Sequence, residues 1–360
     1  MLQKPGKKIR VLIVDDSSFM RMAIRGVLSR DPDIEVVGAA VDGAEGVSRA
    51  ALLKPDVITM DVEMPRMDGI SAVRQIMATA PTRVIMVSTL TNQGAQATFE
   101  ALDAGAVDYV PKNLSDSPGV QEQFRDELLK KVKEVANTSF NRKFSGSPAT
   151  PPQADLPIER VRPLQHIRKA GYLGIGASTG GPVAVQEVLA ALPANFPIPV
   201  VVVIHMPKAF TAPYAERLNA KCKLQVKEAA DGDMLKPGQV LLAPGGGHMT
   251  LARHGAGITV KISPPSAYPR HFYIPSVDLM MSSLAEAASG SMMGVILTGM
   301  GNDGMKGMQM VKSKGGATIV QDEVTCTVYG MPRACVEGGV ADEVLPLSQI
   351  GTAIALISAG

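Results

Sequence analysis

Tryptophan is absent from the 360-residue chain, and there are only three cysteines. Cys222, Cys326 and Cys335 include no C-x-x-C pair and no spacing typical of zinc ligands, which argues against a disulfide scaffold and against a structural metal. Excess charge is missing as well: 36 Lys and Arg against 34 Asp and Glu leave +2. So small a balance gives no overall field to draw the chain to nucleic acid or to a membrane, and partners must be recognised locally. No apolar stretch approaches the ~18 residues of a membrane span. The basic start, MLQKPGKKIRVLIVDD, meets two aspartates before its apolar run is long enough for a signal-peptide core. The expectation is a cytoplasmic protein without membrane insertion.

What is present is an ordinary globular composition, 46% hydrophobic, long enough for two or three domains of roughly 100–200 residues. From residue 9 to about 136, β-branched runs (IRVLIV, IEVVGAA, DVITM, RVIMVS, AVDYV) alternate with amphipathic segments such as FMRMAIRGVLSR and DGISAVRQIMATA. Such alternation predicts a parallel sheet with helices on both faces. Residues 137–168 are rich in Ser, Pro and charge and have no apolar period, which reads as a linker; about 30 coil residues span on the order of 30 Å. From GYLGIG onward the alternation resumes with VVVVI, QVLLA, GVILT and ATIVQ. The fold expected is α/β throughout, two doubly wound parallel-sheet domains over 8–136 and 169–360. Methionines at helical spacing in GMKGMQMVKSKG read as core filler.

Open α/β sheets place their sites at the C-terminal ends of their strands. In the first domain Asp15 and Asp16 follow strand one, Asp61 strand three, Ser88 strand four and Lys112 strand five. Taken singly, each acid there reads as a helix cap. Gathered at one edge, carboxylates repel unless a cation sits among them, which suits Mg²⁺ held by a few oxygens, with a hydroxyl and an ammonium ready for a phosphoryl group.

In the second domain, residues 173–181 read LGIGASTGG. A dinucleotide site would need G-x-G-x-x-G and an acid at the end of the next strand. Gly174 and Gly176 fit, but the next strand ends in His205. The same residues contain G-x-S-x-G, a turn that can lift Ser178 out of a sheet beside free backbone N–H groups. A serine nucleophile needs a base and a group to orient that base; His205 and Asp303 end two further strands. The local alternative for Asp303 is an N-cap of the helix that follows it.

VLIVDDSSFMR, MDVEMPRMDG, MVSTLT and GAVDYVPK resemble, in that order, the receiver domains of response regulators. GIGASTGGP, VVVVIHMP, LLAPGGGHM, RHFYIPSVD, ILTGMGNDG and QDEVTCTVYGMPRAC resemble the catalytic domain of chemotaxis protein-glutamate methylesterases. A receiver joined to such a domain is that family's architecture: a flavodoxin-like receiver and a Rossmann-like α/β methylesterase domain. The resemblance implies Asp61 as phosphoacceptor and Asp15, Asp16 and Asp61 around Mg²⁺. It implies Ser88 and Tyr109 as the switch pair and Lys112 as partner of the phosphoryl oxygens. Asn113 departs from the usual proline after that lysine.

For the second domain it implies Ser178 as nucleophile, His205 as base and acid, and Asp303 as the residue orienting the imidazole. Thr179 and Met300 would border the oxyanion, Met300 only through its backbone or by packing, and Arg270 and His271 would line the substrate groove. No cofactor is implied there. The implied activity is hydrolysis of glutamate methyl esters, and deamidation of glutamines, on the cytoplasmic domains of chemoreceptors. A chemotaxis histidine kinase would be the phosphodonor, phosphorylation would relieve restraint by the receiver, and the protein would be a monomer. PGGGH lacks the lysine and hydroxyl of a phosphate loop and reads as a tight turn; His166 and His254 read as surface residues. An oxidoreductase lacks its ribose-binding acid, and a DNA-binding regulator would need a basic recognition helix that is not visible.

Overall fold

The computed structural model describes residues 7–112, 118–137 and 170–359, in two compact units, Met1–Gly146 and Ser147–Gly360. The expected linker, apart from Asn137, lies outside the described residues, as do Asn113 and His166.

In the first unit, strands β1 (Ile9–Val14), β2 (Ile34–Ala40), β3 (Val57–Asp61), β4 (Arg83–Thr89) and β5 (Asp108–Lys112) pair in parallel in the order β2-β1-β3-β4-β5. This is the flavodoxin-like order, with its switch point beside β1 and β3. Helices α1 (Ser18–Leu28), α2 (Gly43–Leu53), α3 (Gly69–Thr79), α4 (Asn92–Ala104) and α5 (Pro118–Ala136) connect or follow the strands. All five residues of β3 are buried, as expected of a strand covered on both faces. The helices are capped by Ser17, Asp42, Asp68 and Thr91, each accepting a hydrogen bond from a first-turn amide. None of these is Asp15, Asp16 or Asp61, so the acids at the strand ends are not spent on side-chain caps.

In the second unit, β6 (Tyr172–Ala177), α6 (Gly181–Ala191), β7 (Val200–Ile204), α7 (Lys208–Lys221), β8 (Gln225–Glu228) and β9 (Gln239–Leu242) come first. An antiparallel hairpin follows, β10 (His248–His254) and β11 (Gly257–Ser263), turning through Gly255 at φ +58°. Then come α8 (Val277–Ala287), β12 (Met292–Ile296), α9 (Met305–Ser313), β13 (Ala317–Gln321), α10 (Met331–Glu337), β14 (Glu343–Leu345) and α11 (Leu347–Ala359). The seven-stranded sheet is parallel, in the order β14-β13-β12-β6-β7-β9-β8. The chain grows outward from β6 through β7 on one side and returns to start at β12 on the other. The switch point therefore lies at β6 and its neighbours.

The hairpin is an addition to the expected alternation, and it packs on α8: Met249 and Leu251 share one buried cluster with Met280, Met281 and Leu284. Met308 of α9 belongs to that cluster too, so the methionine stripe is core. Gly174 and Gly294 in the central strands let α8 and α9 approach, since a Cβ at either would meet a methionine sulfur. Truncating Leu284, fully buried here, would cost about 2–5 kcal/mol. No helix is long and apolar enough to cross a membrane among the described residues.

Candidate active site and phosphoryl site

The turn after β6 is shaped by its glycines. A Cβ on Gly176 would press on Val277 at the start of α8, and Gly180, at φ +75°, would drive one into the Thr327 side chain. Between them Ser178 donates its backbone N–H to Thr298 O at 3.0 Å, and its own carbonyl accepts from Gly181 N at 2.7 Å. Ser178 is thereby held on a tight strand-to-helix turn just before α6, where the helix N-terminus favours developing negative charge. Ala177 of β6 pairs with Ile204 of β7, and His205 N extends that ladder to Ala177 O at 3.2 Å. Ser178 and His205 thus leave adjacent strands side by side. Asp303 leaves the strand on the other side, β12, whose last residue Ile296 pairs with Gly176.

His205 Nε2 lies 2.8 Å from Asp303 Oδ2. The buried Asp303 carboxylate also accepts from Val277 N at 2.7 Å, Asp278 N at 3.0 Å and Ser276 Oγ at 3.1 Å. Burial pushes its pKa up, but the bond to His205, that residue's charge and the backbone amides outweigh it, and the net shift is downward. The local reading of Asp303 as the cap of α9 needs correction: the N-cap of α9 is Gly304, which brings no side-chain cap of its own. Asp303 sits instead on the N-terminus of α8. In exchange Asp278, in the first turn of α8, accepts from Gly304 N and Gly307 N at 2.8 Å each. Burial leads in raising the Asp278 pKa, and the neighbouring Asp303 charge adds to it.

Thr179 and Met300 are buried, and among the described residues neither backbone N–H finds a hydrogen-bond acceptor. Gly299, next to Met300, lies so close to Ser178 that a Cβ there would stand 2.9 Å from the serine Cβ and N. Thr179 thus follows the serine directly, and Met300 follows the glycine packed against it. The Ser178 hydroxyl forms no hydrogen bond to a described residue; nucleophile–base bonds commonly tighten only around substrate.

Three further residues stand near the site, and the sequence alone assigns none of them a role in it. Tyr273 stacks on His205, with ring centroids 4.5 Å apart and planes within 9°. Ser276 caps α8 through Leu279 N and also donates to Asp303. Asp278 is the third; the Ser-x-Asp of PSVDLMM is the helix-start signal that carried both it and Ser276. Of the residues expected along the groove, His271 Nδ1 lies 3.4 Å from Ser276 Oγ, while Arg270 is exposed. PGGGH is a tight turn, its Gly245 pressed against the backbone of residues 206–208, and His254 is exposed. His248 is fully buried, with neither ring nitrogen hydrogen-bonded. Burial, then the nearby His271, lowers its pKa.

At the edge of the first sheet, Lys112 Nζ lies 2.6 Å from Asp61 Oδ2 and 3.1 Å from Asp15 Oδ2. Burial raises the Asp61 pKa against the pull of Lys112. The ammonium of Lys112 pays for burial, yet its pairing with Asp61 and Asp15 leaves its pKa above the ordinary value. One carboxylate oxygen from each of Asp15, Asp16 and Asp61 falls within 4.8 Å of the others. An oxygen-only donor set of three carboxylates fits a hard divalent cation. The Ser88 hydroxyl donates to Gly94 O at 3.1 Å. Tyr109 is buried, with Lys131 Nζ 5.0 Å from its ring centroid.

Residues 173–354 match the family described as CheB methylesterase, and residues 11–122 match the response regulator receiver domain. The protein-glutamate methylesterase/protein-glutamine glutaminase 1 of Geobacter sulfurreducens is 63% identical over 360 residues, with 99% of each chain covered. The protein of the same name, without the number, from Colwellia psychrerythraea is 44% identical, covering 96% of this chain and 97% of that one. The solved CheB methylesterase catalytic domain of Thermotoga maritima aligns with TM-score 0.50 and 40% identity, over 52% of this chain and 98% of its own. This chain belongs to the CheB methylesterase family, with a response regulator receiver domain ahead of its methylesterase domain.

Proposed function

We propose that this enzyme hydrolyses glutamate methyl esters, and deamidates specific glutamines, on the cytoplasmic domains of chemoreceptors. The work would be done by residues 169–360 under the control of a receiver over 8–136, with 137–168 as linker. The observation that carries the reading is the His205–Asp303 hydrogen bond at the strand edge that also bears Ser178.

With Nε2–H donating a hydrogen bond to Asp303, the imidazole lone pair is on Nδ1, and that nitrogen would take the Ser178 proton. The two ring nitrogens are used in the reverse sense from the trypsin-type triad. Ser178 Oγ attacks the ester carbonyl, the carbonyl oxygen becomes an oxyanion, and the Thr179 and Met300 amides stabilise it. His205 then returns the proton to the leaving methoxide, methanol departs, and water repeats the sequence on the acyl-enzyme to release the glutamate. With glutamine the leaving group is ammonia and the steps are otherwise the same.

In the receiver, Asp15, Asp16 and Asp61 would hold Mg²⁺, which neutralises charge as a phosphoryl group reaches Asp61 from a chemotaxis histidine kinase. Lys112 would then turn to the phosphoryl oxygens, and Ser88 with Tyr109 would change position to signal the new charge. A cytoplasmic monomer suits these partners. Methanol release from methylated receptor membranes tests the core of the reading: Ser178→Ala should release none above background, and release at the wild-type rate would remove Ser178 from the mechanism.

A further inference from the structure

We propose that Tyr273 is a positioning residue for His205, holding the imidazole by its face and stabilising the imidazolium formed when His205 takes the Ser178 proton. The inference rests on the reading of His205 as the base. A single hydrogen bond from Nε2 to Asp303 fixes one edge of the imidazole and leaves the ring free to swing about that bond. The Tyr273 ring, parallel within 9° at 4.5 Å, closes that freedom and sets the plane in which Nδ1 points.

Two further observations mark Tyr273 as placed for this task. In the run Phe272-Tyr273-Ile274, Phe272 is 91% exposed and Ile274 37%, while the tyrosine between them turns inward. Apolar burial alone would favour the phenylalanine. In addition, Gly301 has φ +85°, and a Cβ there would run into the Tyr273 hydroxyl. The phenol therefore reaches the loop that carries Met300 and Asp303 while its face covers His205. One side chain ties the base to the loop that supplies both its carboxylate partner and an oxyanion amide.

The chemistry requires a ring face, not mere bulk. The face of an aromatic ring is electron-rich and attracts a cation, so it favours His205 more when protonated than when neutral. That difference appears only once proton transfer from Ser178 has begun, which is the form of interaction that raises kcat without changing substrate affinity. A leucine of comparable apolar character fills space but offers no such face.

The test uses the full chain and methanol release from methylated receptor membranes, with kcat and KM measured separately. Tyr273→Leu and Tyr273→Met should each lose about tenfold in kcat with KM within about twofold, and Tyr273→Phe should restore most of the rate. Equal turnover in the leucine, methionine and wild-type proteins overturns the proposal, as does a phenylalanine variant as slow as leucine. Melting curves identify a variant slowed by unfolding, and the other ring-free substitution then decides. His205→Ala separates the two levels: wild-type turnover there removes the base itself and the Tyr273 role with it. An inactive His205→Ala beside a fully active Tyr273→Leu removes only the role of Tyr273.

Discussion

Asp303→Asn probes both duties of that carboxylate at once. Oδ2 serves His205 Nε2 and Val277 N–H, and Oδ1 serves Ser276 Oγ and Asp278 N–H. An amide can put its nitrogen in only one of those places. At the Oδ2 place it confronts the Val277 N–H donor and forces His205 to accept at Nε2, which moves the imidazole proton to the side of Ser178. At the Oδ1 place it leaves Asp278 N–H without an acceptor; His205 keeps its tautomer but loses the charge that stabilises its protonated form. Either way one amide of the α8 N-terminus goes unpaired, at about 1–3 kcal/mol. The lost negative charge at that terminus adds about 0.3–1 kcal/mol, and up to ~2 when partly buried. A total of about 1.3–5 kcal/mol corresponds to a fall of roughly 3–20 °C in the melting temperature of a domain of this size. On the kinetic side, kcat should fall by on the order of 10²–10⁴, the lower figure for lost charge and the upper for the wrong tautomer. Calorimetry and methanol release on the same preparation read both quantities. A variant that melts within about 2 °C of wild type and turns over within about tenfold would show that Asp303 neither orients His205 nor caps α8.

Mg²⁺ at roughly 100 times its dissociation constant should stabilise the receiver by ~2.7 kcal/mol; Asp15→Asn should suppress most of that gain in a melting titration, and a gain that survives the substitution would place the ion elsewhere. The lowered pKa of Asp303 contributes stability that is present above the unfolded value near 3.9 and lost as pH falls through the folded one. Denaturant titrations of wild type and Asp303→Asn should therefore converge below about pH 4, and curves still parallel there would contradict the sign. Gly180→Ala adds a side chain at φ +75° against Thr327. It should cost more than ~1 kcal/mol in chemical denaturation, with Thr327→Ala restoring only part because the backbone penalty remains.

Much of the architecture is written in local pattern. Runs such as VLIV, VITM and VVVVI belong to strands buried on both faces, and the polar residues that follow or end them stand at the sheet edge, so the positions of Ser178, His205 and Asp61 at strand ends are legible in the sequence. The hairpin β10–β11 interrupts the strand-helix alternation with two strands in succession, and the order of apolar runs does not announce that they pair antiparallel. For Asp303 the local alternative is a cap of the helix it precedes, whereas the helix amides it accepts from lie 25–26 residues upstream. Tyr273 meets His205 from far along the chain, and no periodicity reports such a contact. Ser88 illustrates a different gap: sequence order places it at the right edge, but only coordinates show its hydroxyl turned to Gly94 O.

The exchange of Asp303 and Asp278 between α8 and α9 alters what a sequence comparison can diagnose. Asp303 holds two helices in register as well as the base, so a descendant that had abandoned esterase chemistry would still be under pressure to keep it. Ser178 has no comparable side-chain duty, since its hydroxyl bonds to no described residue and only its backbone supports the turn. On the proposed mechanism, loss of function in a related chain would therefore be recorded first at position 178, while the aspartate persisted as a relic of folding.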